Sequence, residues 1–295
     1  MRLTWDWMSP VVTVPFVPTL GPVHPDALTP ELFADVIDVA GTGRFLVHDK
    51  DRRWSDTKDE TILPLDIVHR PGLTLIPTLS TRGSNTLKVH LYGDPVDGRQ
   101  EEAAELATKL AATHNAAKAR VLFFQAPGQS GRTATGSCTR VQLREFTPGR
   151  PTVPPDAVRP LEAHPETVRA TFADFADKLA DDGFAFLHSR MRTGAVGPVL
   201  VTAADGRITG AIGPMEAMPD PVGRTRLLPQ YFGVLPDHRG RGHGRALWRA
   251  AMYWGHSHGA DYQLLQTELG GASDTLCRSE ALTDLGLVHT ATAAA

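Results

Sequence analysis

With 295 residues and an apolar share of 41%, the chain is long enough to bury two separate cores. Its formal net charge of −3 supplies no basic field for nucleic acid or an anionic membrane, and no apolar run approaches the roughly 20 residues of a membrane span. The opening MRLTWDWMSP lacks the layout of a signal peptide, and Cys138 and Cys277 are too few for a disulfide framework, so a cytoplasmic protein with free thiols is expected.

In chain order, the first half offers His24-Pro25 ahead of a first helix, then a loop near Pro95. An amphipathic helix carrying Leu106 and Leu110 follows, and then an apolar strand over 121–125. The stretch 147–160, TPGRPTVPPDAVRP, holds five prolines; fixed φ angles and missing donors make it an extended linker between halves of similar size.

The second half reads more clearly. A short strand is expected over 157–161 and a helix over about 165–181, with Phe172, Phe175, Ala176 and Leu179 on one face. Strands over 198–203 and 207–218 are joined by Asp205-Gly206, a hairpin signal, and another strand spans 227–235. A helix from about 244 to 253 follows, then a strand over 262–267, a helix over about 273–282 and a last strand near 285–292. The order β-α-β-β-β-α-β-α-β implies an α/β fold around a mixed sheet. A shift of about 141 residues lays Pro95 on Pro236, Leu106 on Leu247 and Leu110 on Ala251, so the halves are expected to repeat one architecture.

Between the strand at 227–235 and its helix stands HRGRGHGRAL, residues 238–247. Helix N-termini carry open N–H groups and a partial positive charge, and glycines in the preceding turn let those groups close on an anion. The stretch therefore reads as a phosphate cradle. A Walker loop is excluded because Arg245 and Ala246 follow Gly244, and the dinucleotide pattern is excluded because Arg245 stands where it needs glycine. What remains is R-x-x-G-x-G, met by Arg239, Gly242 and Gly244.

On these residues the chain resembles the GNAT-type N-acetyltransferases, whose coenzyme A loop is Gln/Arg-x-x-Gly-x-Gly/Ala after the fourth strand. The resemblance covers about 156–295. It implies tandem GNAT-like domains, each a mixed, mostly antiparallel sheet flanked by helices: a degenerate one over 1–150 and an acetyltransferase over 156–295. In the first half Glu101 and Ala103 fall where Gly242 and Gly244 stand, so no coenzyme loop is expected there.

The resemblance further implies that Arg239, Gly240, Arg241, Gly242, His243, Gly244 and Arg245 bind the pyrophosphate of acetyl-CoA, the co-substrate. It likewise implies that backbone groups of Phe232, Gly233 and Val234 face the thioester, with Gly233 marking a bulge or close approach. An amine of a small molecule would attack directly, no metal being needed. Glu268 and Glu216 are the candidate bases, and Tyr231 is a candidate acid. Cys277 stands where the family carries the tyrosine that protonates the departing thiolate, either in that role or as a small buried residue. Other donors (a longer acyl-CoA, a carrier protein, an aminoacyl-tRNA) and a non-catalytic coenzyme-binding module are the alternatives. The acceptor and the oligomeric state have no sequence signal.

Overall fold

A computed structural model describes residues 4–293 apart from 82, 84, 96, 130–135, 148, 150–156 and 195, so most of the expected linker lies outside the described residues. In chain order its main elements begin with α1 (Pro30–Asp38), β1 (Glu60–Ile62), β2 (Leu73–Ser80), β3 (Thr86–Gly93), α2 (Asp97–Thr113), β4 (Lys118–Gln125) and β5 (Gly136–Glu145). They continue with β6 (Val158–Pro160), α3 (Phe172–Lys178), α4 (Phe184–Arg192), β7 (Leu200–Ala204), β8 (Arg207–Gly213), β9 (Ala217–Pro219), β10 (Thr225–Leu227) and β11 (Tyr231–Val234). The last are α5 (His243–Ser257), β12 (Tyr262–Glu268), α6 (Ala272–Ser279) and β13 (Thr283–Thr292). The fold is mixed α/β, with mostly antiparallel sheets flanked by helices.

The chain divides into two compact units, one of residues 1–144, 220–222 and 264–295, the other of 145–219 and 223–263. The second unit begins at Glu145, and the C-terminal residues 264–295 belong to the first. The cause is strand pairing. β13 lies between β4 and β5, antiparallel to both, with Leu287 opposite Gln125 on one side and Arg140 on the other.

In the first unit the sheet runs β1-β2-β3-β4-β13-β5, with the end of β12 beside β5. One face buries Leu75, Leu87, Val89, Leu91, Val121 and Phe123 against Ala103, Ala107 and Leu110 of α2. Alternation sends Lys88, His90 and Tyr92 of β3 to the other face. There Lys88 pairs with Glu60 at 2.9 Å, and Glu60 accepts a hydrogen bond from Thr78. His90 is 1% exposed, with Nδ1 3.1 Å from the Ile76 carbonyl.

Burial pushes the His90 imidazole down to about 4, against the opposing pull of Glu60. Below its unfolded value near 6.5 the unfolded chain takes up the proton and the folded chain resists it, so stability present at pH 7 is lost as the pH falls to 4. The loss from this residue is about 3 kcal/mol over that window. Denaturant titrations from pH 7 to 4 should show this slope, and His90→Gln should flatten it; an unchanged slope in that variant would exclude His90 as the cause.

The second unit holds a four-stranded antiparallel sheet in the order β6-β7-β8-β11. The single helix expected over 165–181 is broken, and α4 follows it unforeseen. Phe172, Phe175, Ala176, Leu179, Phe184 and Leu187 from this region bury one face of the sheet, against Val199, Val201, Ile208 and Ala211. α5 covers the other face; at Gly210 of β8 a Cβ would stand 2.9 Å from Leu247 Cδ1, so glycine lets the helix seat closely. α5 ends at Gly259, whose φ of +77° only glycine adopts cheaply.

The strand expected over 227–235 is two strands, interrupted at Leu228-Pro229-Gln230. β10 pairs in parallel with the start of β12, Arg226 opposite Tyr262 and Leu227 opposite Gln263. β11 pairs only with β8, from Tyr231–Gly213 to Val234–Gly210. The sheet thus forks after Leu227, and among the described residues β11 has one edge without a strand partner. The first unit differs at the corresponding place. β3 and β4 stay paired in parallel from Thr86–Lys118 to Leu91–Phe123, so no fork opens.

Candidate functional site

The open edge of β11 has a defined register. The Leu235 amide donates to the Thr209 carbonyl at 2.9 Å. In antiparallel pairing, alternate residues turn their backbone groups to opposite edges, so 231, 233 and 235 face β8 while Phe232 and Val234 face the fork. The Val234 carbonyl confirms the alternation by accepting Nε of Arg239 at 3.0 Å. Of the three residues expected to face a thioester, Phe232 and Val234 offer open amides, and the Gly233 amide belongs to the ladder.

Gly233 serves packing. The β8–β11 register is regular, so there is no bulge, and a Cβ at 233 would come 2.8 Å from Phe184 and 2.9 Å from Leu179. Tyr231, on the same face, lies beside Phe184 and Phe186 with ring centroids 6.4 and 6.2 Å away. Gly183 makes room for that ring, since a Cβ there would strike it.

Past β11 the chain turns through Pro236–His238 into the glycine stretch. Gly240 and Gly242 have φ of +75° and +86°, with nothing within 4 Å of either Cβ position. These glycines are required by backbone conformation and leave open space above the turn. Gly242 caps α5 without any side-chain hydrogen bond, and the first amide to find a helical acceptor is that of Ala246, bonded to the Gly242 carbonyl at 3.0 Å. The amides of His243 and Gly244 therefore stand in the first turn, where the helix supplies no acceptor and its dipole is positive.

Gly244 plays a different part: a Cβ there would be 3.4 Å from Phe232 Cζ, so it sets the helix against the strand. Arg239, Arg241 and Arg245 are exposed around the turn. Arg239 also fastens the turn to β11 through Val234. His243 is held below the usual histidine range by burial first, then by His238 and Arg241.

The candidate catalytic residues are divided between the units. Glu216 and Tyr231 lie in the second, with the loop; Glu268 and Cys277 lie in the first. Glu216 accepts a hydrogen bond from the Gly197 amide at 3.1 Å, and its own carbonyl accepts from Leu228 at the fork at 2.9 Å. Glu268 ends β12 with its side chain exposed. Cys277 is 2% exposed, and burial followed by Asp274 pushes its thiol up to about 11. Burial of this kind disfavours the thiolate, the form that acts as a nucleophile. Asp274, three residues earlier, accepts from Arg140 at 2.8 Å and from the Gly270 amide at 3.0 Å, which fixes the start of α6.

Sequence reasoning missed the polar residues at the fork, Gln230 and Gln263. Gln263 is wholly buried and donates to Gln230 Oε1 at 2.6 Å. The sign was available in YQLLQ, where a glutamine interrupts an apolar strand. Among the described residues no cluster of three or more His, Cys, Asp or Glu could hold a metal, and no helix is long and apolar enough to cross a membrane.

Residues 162–271 match the model of the acetyltransferase (GNAT) family. A GCN5-related N-acetyltransferase from Sphaerobacter thermophilus has a similar fold, with a TM-score of 0.50 at 15% identity, over 90% of this chain and 85% of that one. A tandem GNAT protein from the clavulanic acid biosynthesis pathway aligns over 76% of this chain and 79% of its own at 14% identity, TM-score 0.40. A GCN5-related N-acetyltransferase from Kribbella flavida aligns over 74% and 86% at 17% identity, TM-score 0.43. None of the curated proteins compared is similar in sequence.

Proposed function

Given that residues 162–271 form a domain of the GNAT acetyltransferase family, we propose that this chain transfers an acyl group, acetyl in the simplest case, from a coenzyme A thioester to an amine of a small molecule. The observation that carries the reading is the joint presence, in one unit, of the open first turn of α5 and the open edge of β11. The residues fit the coenzyme: positive-φ glycines with free space above them, open amides and flanking arginines suit a diphosphate. When bound, the thioester supplies an activated carbonyl with a good leaving group.

The chain's own part is to hold and polarise. The amides of His243 and Gly244 take the diphosphate, and Arg241 and Arg245 add charge. The open amides of Phe232 and Val234 on β11 would receive the chain that links diphosphate to thioester, and one of them aimed at the thioester oxygen would stabilise charge developing there. The amine must arrive neutral or lose its proton to Glu216 or Glu268. The first half serves as scaffold: β3 and β4 stay paired where the second unit forks, and Glu101 is an exposed residue inside α2.

The burial of Cys277 supports direct attack over an acyl-enzyme on its thiol. Coenzyme A should bind in calorimetry, and mixed amines should be acylated from acetyl-CoA. Intact mass after incubation with acetyl-CoA alone should show no adduct. A stoichiometric adduct on Cys277, discharged by amine, would overturn direct transfer, and absent coenzyme binding would overturn the whole reading.

A further inference from the structure

β10 and β12 pair only through Arg226–Tyr262 and Leu227–Gln263. The ladder stops there for a reason carried by the chain. On its β9 side the Leu228 amide donates to the Glu216 carbonyl at 2.9 Å, so Leu228 turns its backbone groups to β9 and the next residue due to face β12 is 229. Residue 229 is proline, which has no N–H to give. In the first unit β3 carries no proline, and its parallel ladder to β4 continues through Leu91–Phe123.

Where the ladder stops, side chains take over. Gln230 Nε2 donates to the Leu228 carbonyl, which leaves Gln230 Oε1 as an acceptor. Gln263 Nε2 donates to that oxygen at 2.6 Å. Gln263 is 0% exposed and stands in β12 opposite Leu227, the last ladder residue of β10. Gln230 immediately precedes Tyr231, where β11 begins its pairing with β8 opposite Gly213. The base of β11 is therefore tied on one side by backbone pairing and on the other by a single hydrogen bond between two glutamines. All of these residues lie in the second unit.

We propose that Gln230 and Gln263 are positioning residues for acyl transfer: their hydrogen bond is a strut that fixes where β11 departs from β12, and so where the Phe232 and Val234 amides stand. The inference rests on the reading above, in which those amides receive the arm of a coenzyme A thioester. A backbone ladder continued past Leu228 would consume the edge of β11, whereas a side-chain strut ties the chain at one point and leaves the amides beyond it open. A donor aimed at developing charge acts only at a defined distance, so a shift at the base of β11 is felt by the arm and the thioester. The diphosphate, held by the first turn of α5, does not depend on it.

The test measures the affinity of the full-length protein for acetyl-CoA and for 3′-phosphoadenosine 5′-diphosphate, the nucleotide of the coenzyme without its arm. The ratio of the two affinities reports the arm alone. Gln263→Met and Gln230→Met remove the strut at nearly constant volume. Each should reduce the ratio about tenfold, the effect of misplacing one or two hydrogen bonds to the arm, while affinity for the nucleotide stays the same. The double variant should be no worse than either single one, because both act through one contact. Neither variant should lower the melting temperature of the unliganded protein by more than a few degrees, since Gln230 is half-buried and Gln263→Met also removes an Oε1 that has no partner. An unchanged ratio in both variants overturns the strut. Losses that add in the double variant overturn it as well, as does a large fall in melting temperature in both, which makes the pair part of the fold and not a positioning device. A wild-type ratio of one shows that the arm is not held on β11 and takes the strut with it. Failure to bind either ligand removes the functional reading itself.

Discussion

Gly242→Glu is expected to lower affinity for coenzyme A thioesters about a hundredfold or more while leaving the fold intact. Gly242 has φ +86° and nothing within 4 Å of its Cβ position, so a side chain meets no packed neighbour. Two costs remain. The left-handed backbone strains any L-residue by about 1–2 kcal/mol, and a carboxylate beside the diphosphate repels it, by about 4 kcal/mol at 4 Å and an effective dielectric of 20, less where water screens it. Gly242→Ala separates the two, since it carries the strain without the charge and should weaken binding far less. Calorimetry with coenzyme A, alongside circular dichroism, makes the comparison. Wild-type affinity in a folded Gly242→Glu protein would exclude the turn as the diphosphate cradle.

The second large effect concerns the base. Glu268→Gln should lower turnover by about 10²–10⁴-fold, with coenzyme affinity little changed, and a higher assay pH should restore part of the rate because more amine is already neutral. Glu216→Gln is the informative companion. The Glu216 carboxylate accepts from the Gly197 amide, and a glutamine carbonyl can do the same, so the local structure survives the substitution. If Glu268→Gln stays within a few-fold of wild type and Glu216→Gln carries the rate loss, the base is Glu216. Turnover against pH with each variant decides between them.

What the sequence disclosed was local. The glycine turn and the helix after it were legible because positive-φ glycines and a 3.6-residue apolar period depend on neighbours in the chain. The fork was not, since 227–235 looks like one apolar strand and Pro229 is its only internal sign of a break. α4 escaped notice because FAFLHSRMR buries few apolar side chains, chiefly Phe184 and Leu187. Gly233 was legible as a bulge or close approach but not its neighbours, since Phe184 and Leu179 come from a region the strand pattern does not describe. Cys277 was identifiable by position, but its protonation depends on burial and on Asp274, which only the folded chain brings to it. Least legible was the destination of the last strand, because alternation along 283–292 says nothing about which strands it joins.

That destination bears on how the molecule is made. β13 is the middle strand between β4 and β5, hydrogen-bonded on both edges, and it is synthesised well after both. A ribosome that has delivered the first 150 residues has produced a sheet with its centre missing, exposing two facing strand edges that would close wrongly or pair with other chains. The sheet of the first unit is therefore completed only once residues 283–292 emerge. Loss of residues 283–292 is accordingly a lesion of the first unit's sheet, since it removes the strand that joins β4 to β5.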